Sequence, residues 1–129
     1  MFSNHLSIML YVKNVAESIE FWRELGFYIQ SETEIDGTLT AEIKPSERAE
    51  LTLVLYDLEF IMANSPEVAG NTPSILFQTS DITTLYQKVA ALGFPVGEVI
   101  HLPDGGCVFN FSDPDGNYFA VAESEPAIG

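Results

Sequence analysis

From position 7 to 12 the chain alternates. Ile8, Leu10 and Val12 fall on one side of an extended backbone and Ser7, Met9 and Tyr11 on the other, the period of two that marks a strand with one buried face. The period then changes. Val15, Ile19 and Trp22 recur at helical spacing with Ser18, Phe21 and Leu25 beside them; Asn14 stands where its side chain can accept from a first-turn amide, and Gly26 closes the stretch. Strands are predicted next at about 27–34, 39–44 and 50–56, where Leu51, Leu53 and Leu55 alternate with Glu50, Thr52, Val54 and Tyr56.

The same order returns 67 positions later. Ser74-Ile75-Leu76-Phe77 repeats Ser7-Ile8-Met9-Leu10, Asp81-Ile82 repeats Asn14-Val15, and Leu92-Gly93-Phe94 repeats Leu25-Gly26-Phe27, all at one shift. A second helix carries Ile82, Leu85, Tyr86, Val89 and Leu92, flanked by predicted strands at 74–79, 96–102, 107–112 and 117–122. Asp36-Gly37, Asp104-Gly105-Gly106 and Asp113-Pro114-Asp115-Gly116 supply the reversals. The stretch 57–73, with Asn64-Ser65-Pro66 and Gly70-Asn71-Thr72-Pro73, reads as a connection. The expectation is one α+β domain over 1–129, built from two tandem βαβββ modules at about 5–56 and 74–124. Their curved sheets would surround a cup, with the helices on the outer faces.

Composition narrows the partners. The chain has 5 basic and 19 acidic residues for a net charge of −14, so nucleic acid and anionic membrane surfaces are expected to be repelled and cationic small molecules favoured. Its apolar runs are too short for a bilayer helix. The single cysteine, Cys107, cannot close an internal disulfide and reads as a small buried hydrophobe in a reducing, cytoplasmic setting. Trp22 reads as core, and Asp113 to Asn117 as a turn. No Ser-His-Asp or glycine-rich phosphate signature is present.

Asn14-Val15-Ala16-Glu17-Ser18, then Phe21-Trp22-Arg23-Glu24-Leu25-Gly26-Phe27, and finally Phe111-Ser112-Asp113-Pro114-Asp115-Gly116-Asn117 resemble the vicinal-oxygen-chelate superfamily. That superfamily includes glyoxalase I, extradiol dioxygenases, and fosfomycin and bleomycin resistance proteins. The resemblance implies a metal held in the cup by side chains near the start of the first strand and in the last strand of each module. Here Ser7, Ser74 and Ala120 occupy such places, and Glu50 alone looks like a retained ligand. One hydroxyl-and-carboxylate set of this kind binds a divalent ion poorly. A relocated site of His5, Glu50 and His101 is the alternative.

Two readings follow. The first, closest in character to the metal-free bleomycin resistance proteins, is a cytoplasmic homodimer without cofactor that sequesters a cationic or planar drug-like ligand, an antibiotic-resistance role. Its candidate binding residues are Ser7, Met9, Tyr11, Glu50, Thr52 and Tyr56 in the first module, Phe60 in the connection, and Ser74, Gln78, Tyr118 and Ala120 in the second. Tyrosines would stack on the ligand, while Glu42, Glu50 and Glu98 would attract it. The second reading is a metal-dependent lyase or dioxygenase with relocated ligands, Glu50 moving the proton.

Overall fold

Residues 1–123 are described in the computed structural model; residue 124, the expected end of the second module, lies outside them. The chain divides into two compact units, Met1–Pro73 and a second beginning at Ser74.

The first unit runs β1 (Leu6–Val12), α1 (Val15–Glu24), β2 (Tyr28–Ile35), β3 (Thr38–Lys44), β4 (Leu51–Asp57) and α2 (Leu58–Asn64). Its sheet has the order β1-β4-β3-β2, with β1 parallel to β4 and the other pairs antiparallel. The crossover between the parallel pair carries α1, which the sequence starts and stops locally. Asn14 Oδ1 accepts from Glu17 N at 3.0 Å, and Gly26 at φ 92° takes the left-handed turn that ends the helix.

The stripe of α1 packs on β3 and β4. Val15, Ile19, Phe21 and Trp22 are buried there, as are Ala41, Ile43, Leu53 and Leu55 on the sheet and Leu10 and Val12 on β1. Trp22 is fully enclosed, with ring centroids 5.2 Å from Phe21 and 4.7 Å from Phe27. Each such side chain contributes about 1.5–3 kcal/mol on burial, so this layer dominates the unit's stability.

Helix α2 is the element the sequence reading misses. The stretch predicted as a plain connection begins with Asp57, whose Oδ1 accepts from Phe60 N at 3.1 Å, and Ile61 anchors the short helix. An acidic cap followed by Leu58-Glu59-Phe60-Ile61-Met62-Ala63 is a helix signal; the prolines and glycines downstream masked it.

The second unit runs β5 (Leu76–Thr79), α3 (Ile82–Ala91), β6 (Ile100–His101), β7 (Cys107–Ser112) and β8 (Tyr118–Glu123), in sheet order β5-β8-β7-β6. Both units are therefore βαβββ, as the repeat predicts. Asp81 caps α3, accepting from Thr84 N at 3.1 Å and Thr84 Oγ1 at 2.7 Å, and these bonds hold its carboxyl below the usual range. The core gathers Ile82, Val89, Phe109, Phe111, Phe119 and Val121, with Tyr86 edge-on to Phe109 at 5.2 Å.

Two predicted strands are shorter than expected. β5 starts at Leu76, leaving Ser74 outside it, and the stretch predicted at 96–102 pairs only through an isolated Val96–Phe111 bridge and the two residues of β6. Pro95 has no amide to donate; its carbonyl accepts from Ser112 N at 2.9 Å, and Gly97 N donates to Asn110 O at 2.7 Å. The backbone stays beside β7 without forming a regular ladder.

Two buried polar groups carry testable consequences. The Ser18 hydroxyl is fully buried on the inner side of α1 with no hydrogen-bond partner among the described residues. Replacing it removes an unsatisfied group and raises helix propensity, so Ser18→Ala should stabilise the fold by ~1 kcal/mol, seen as a raised Tm. Asp113 is equally buried. Its Oδ1 accepts from Asp115 N at 3.0 Å and Asn117 N at 2.9 Å, and its Oδ2 from Asn117 Nδ2 at 3.0 Å.

Burial pushes the Asp113 carboxyl above its ordinary range, against the pull of these hydrogen bonds. The folded state then binds more protons than the unfolded one between the ordinary carboxylate pKa and the raised one, so this group's contribution falls as pH rises through that window. Asp113→Ala should cost ~2–4 kcal/mol through three lost hydrogen bonds. Asp113→Asn keeps the turn's acceptor and removes the titration. Urea unfolding from about pH 4 to pH 7 should show the wild type losing stability relative to the Asn variant; a constant difference would refute the assignment.

Candidate ligand-binding site

Once α1 covers one face of the first sheet, alternation delivers a defined set of side chains to the other. Parallel register places Ser7 opposite Thr52, Met9 opposite Val54 and Tyr11 opposite Tyr56; antiparallel register places Glu42 opposite Val54. The row is hydroxyl-bearing at one end and aromatic at the other. Tyr11 and Tyr56, both half-buried, are neighbours on adjacent strands.

The hydroxyl end opens into a cavity of about 470 Å³ within this unit, inside the size range of small-molecule sites. Ser7 and Thr52 line it with His5, Glu42 and Glu50, and Gln30, Lys44 and Arg48 complete the polar lining; Leu6 and Ala49 are its apolar members. A β-bulge between Ile29 and Ser31 frees Gln30 from the ladder, and its Nε2 donates to Glu42 Oε2 at 3.0 Å. Lys44 Nζ donates to the Glu47 carbonyl at 3.4 Å. Polar groups thus outnumber apolar ones, which suits a hydrogen-bonding guest more than a purely hydrophobic one.

Of the expected residues, Ser7, Glu50 and Thr52 meet in the cavity, joined by His5 from the alternative metal set. Met9, Tyr11 and Tyr56 continue the same face beyond it. Phe60 rides half-buried on α2 rather than in a loop. Ser74, Gln78, Tyr118 and Ala120 belong to the second unit, where Ala120 lies opposite Leu76, and Tyr118 is exposed opposite Ser112. Glu98 is exposed there too. The sequence reading misses Gln30, Lys44 and Arg48. Lys44 shares the period-two face of Glu42 and was legible by alternation; the bulge that turns Gln30 in and the loop carrying Arg48 were not.

Register also relocates one position of the implied metal set. Ala120 sits opposite Leu76, whose counterpart at the 67-residue shift is Met9, and Met9 faces Val54. The last-strand place in the first unit is therefore Val54, not Glu50. In each unit the pair at these places, Ser7 and Val54 in the first and Ser74 and Ala120 in the second, joins a neutral hydroxyl to an apolar side chain and offers a divalent cation little. His101 belongs to the second unit, its Nδ1 3.2 Å from the Cys107 thiol, which is half-buried rather than fully enclosed. Among the described residues no group of three or more His, Cys, Asp or Glu side chains is arranged to hold a metal ion. No helix there is long and apolar enough to cross a membrane.

A duplicated βαβββ fold defines the class. The chain belongs to the Glyoxalase/Bleomycin resistance protein/Dioxygenase superfamily, which it matches over residues 4–121. It is 29% identical over 120 residues to the uncharacterized protein YetH of Bacillus subtilis (strain 168), covering 91% of this chain and 95% of that one. Solved structures that share the fold include a binding protein and an enzyme. TnmS3, an antibiotic binding protein from Streptomyces sp. CB03234, superposes with a TM-score of 0.77 at 20% identity over 96% of this chain and 98% of its own. Lactoylglutathione lyase from Agrobacterium tumefaciens gives 0.71 at 20% identity, with 96% of each chain covered. At such identity the likeness is one of fold, shared by a binder and an enzyme alike.

Proposed function

We propose that the protein is a metal-independent small-molecule binder that sequesters a drug-like compound on the open face of the first unit. The observation that carries this reading is the pairing of a cavity of about 470 Å³ with hydroxyl and apolar side chains at the family's chelate positions. A guest's polar end would enter among Ser7, Thr52 and Glu50, while a planar part would lie along Met9 and stack on Tyr11 and Tyr56. The fold shared with an antibiotic binding protein supports sequestration, and the lone cysteine suits a reducing cytoplasm. Action as a homodimer is part of the same reading.

Protein purified without added metal or chelator should contain no stoichiometric metal and take up no tight equivalent of Zn²⁺, Ni²⁺ or Fe²⁺. In a thermal-shift screen of planar aromatic antibiotics, a true ligand at about 100 times its Kd stabilises by ~2.7 kcal/mol, a rise of several degrees. Tyr56→Ala should then weaken that ligand about two- to tenfold, consistent with loss of ~0.5–1.5 kcal/mol of stacking. Tight stoichiometric metal uptake would overturn the reading in favour of a lyase or dioxygenase. A screen that stabilises nothing would overturn it in favour of a module that binds no small molecule.

A further inference from the structure

The cavity holds a charge pattern that the chain's overall acidity hides. Lys44 and Arg48 are two of only five basic residues in a protein of net charge −14, and both line this one cavity together with Glu42 and Glu50. Among the described residues they form no ion pairs. The described ion pairs join Arg23 to Glu20 and Glu32, and neither cation of the cavity takes part. Lys44 Nζ donates to the Glu47 backbone carbonyl at 3.4 Å. Glu42 accepts from the neutral Gln30 amide at 3.0 Å and joins no ion pair among the described residues.

Strand geometry keeps these charges apart. Glu42 and Lys44 are two residues apart on the same face of β3, about 7 Å along the strand, so each can face the cavity without collapsing onto the other. A guest bearing only positive charge would meet the carboxylates but be repelled by Lys44 and Arg48. One bearing only negative charge would meet the cations but approach through the field of an acidic protein. A guest with both signs answers both walls.

Resting on the binding reading above, we propose that this cavity takes an amphoteric small molecule, its carboxylate held by Lys44 and Arg48 and its ammonium by Glu42 and Glu50. Arg48 offers the planar fork that engages a carboxylate through two parallel bonds, and Lys44 adds a point charge beside it. The proposal replaces the purely cationic guest expected from net charge with one selected by local charge.

The test uses the full-length protein and three amphoteric aromatic probes, ciprofloxacin, ampicillin and tryptophylglycine. Each is titrated by calorimetry and thermal shift beside its methyl ester, which blocks the carboxylate, and its N-acetyl form, which blocks the amine. At least one free amphoteric form should bind, and blocking either end should weaken it tenfold or more. Lys44→Gln and Arg48→Gln, at positions outside the core, should keep the wild-type Tm without ligand and erase the preference for the free acid over its ester. Esters binding as tightly as free acids, binding untouched by both substitutions, or binding confined to singly charged or neutral members of a broad library would each overturn the charge assignment while leaving a small-molecule binder. Failure of every compound of every charge class would overturn the binding reading itself, and this proposal with it.

Discussion

The first unit depends on α1 lying across one face of a four-stranded sheet. In the first unit α1 presses Val15, Ile19 and Trp22 onto Ala41, Ile43, Leu53 and Leu55, and strand alternation sends Met9, Tyr11, Glu42, Lys44, Thr52 and Tyr56 to the opposite side. Stability and site are thus settled together. A slip of one residue in any of these strands would exchange a buried apolar side chain for one of the opposite face, and the apolar core holds the register against it.

Duplication supplied the frame twice without keeping the chemistry twice. The helix caps, Asn14 and Asp81, and the helix stops, Gly26 and Gly93, remain at one spacing because each answers a local backbone requirement. The later strands have drifted. Ile43 pairs with Leu53 in the first sheet and Phe111 with Phe119 in the second, so the counterparts lie 68 positions apart on one strand and 66 on the next. The open face of the second sheet accordingly differs in character, with Leu76, Ile100 and Tyr118 more than half exposed where the first sheet offers hydroxyls and charges.

Net charge and local charge answer different questions. Fourteen excess negative charges set the long-range field, which governs approach and solubility, and at physiological salt that field fades over about 8 Å. Within the cavity the nearest groups decide, and there the two signs are balanced. The field of the whole chain and the charge lining the cavity therefore differ, because Lys44 and Arg48 enter beside Glu42 and Glu50.

The repeat, the caps, the glycine stops and the face of each long strand were legible in the sequence, because each is fixed by residues within a few positions of one another. So was the core placement of Trp22 and the turn role of Asp113 to Asn117. Helix α2 was legible but obscured, since the breakers after it dominated the stretch. What the chain alone could not specify depends on distant segments meeting: the bulge that turns Gln30 toward Glu42, the loop that brings Arg48 beside β4, and the pairing that makes Val54 rather than Glu50 the partner of Ala120's place. Local preferences act along the backbone, whereas a binding surface is assembled across it by hydrogen-bond register between strands, and that register is set only when the sheet forms.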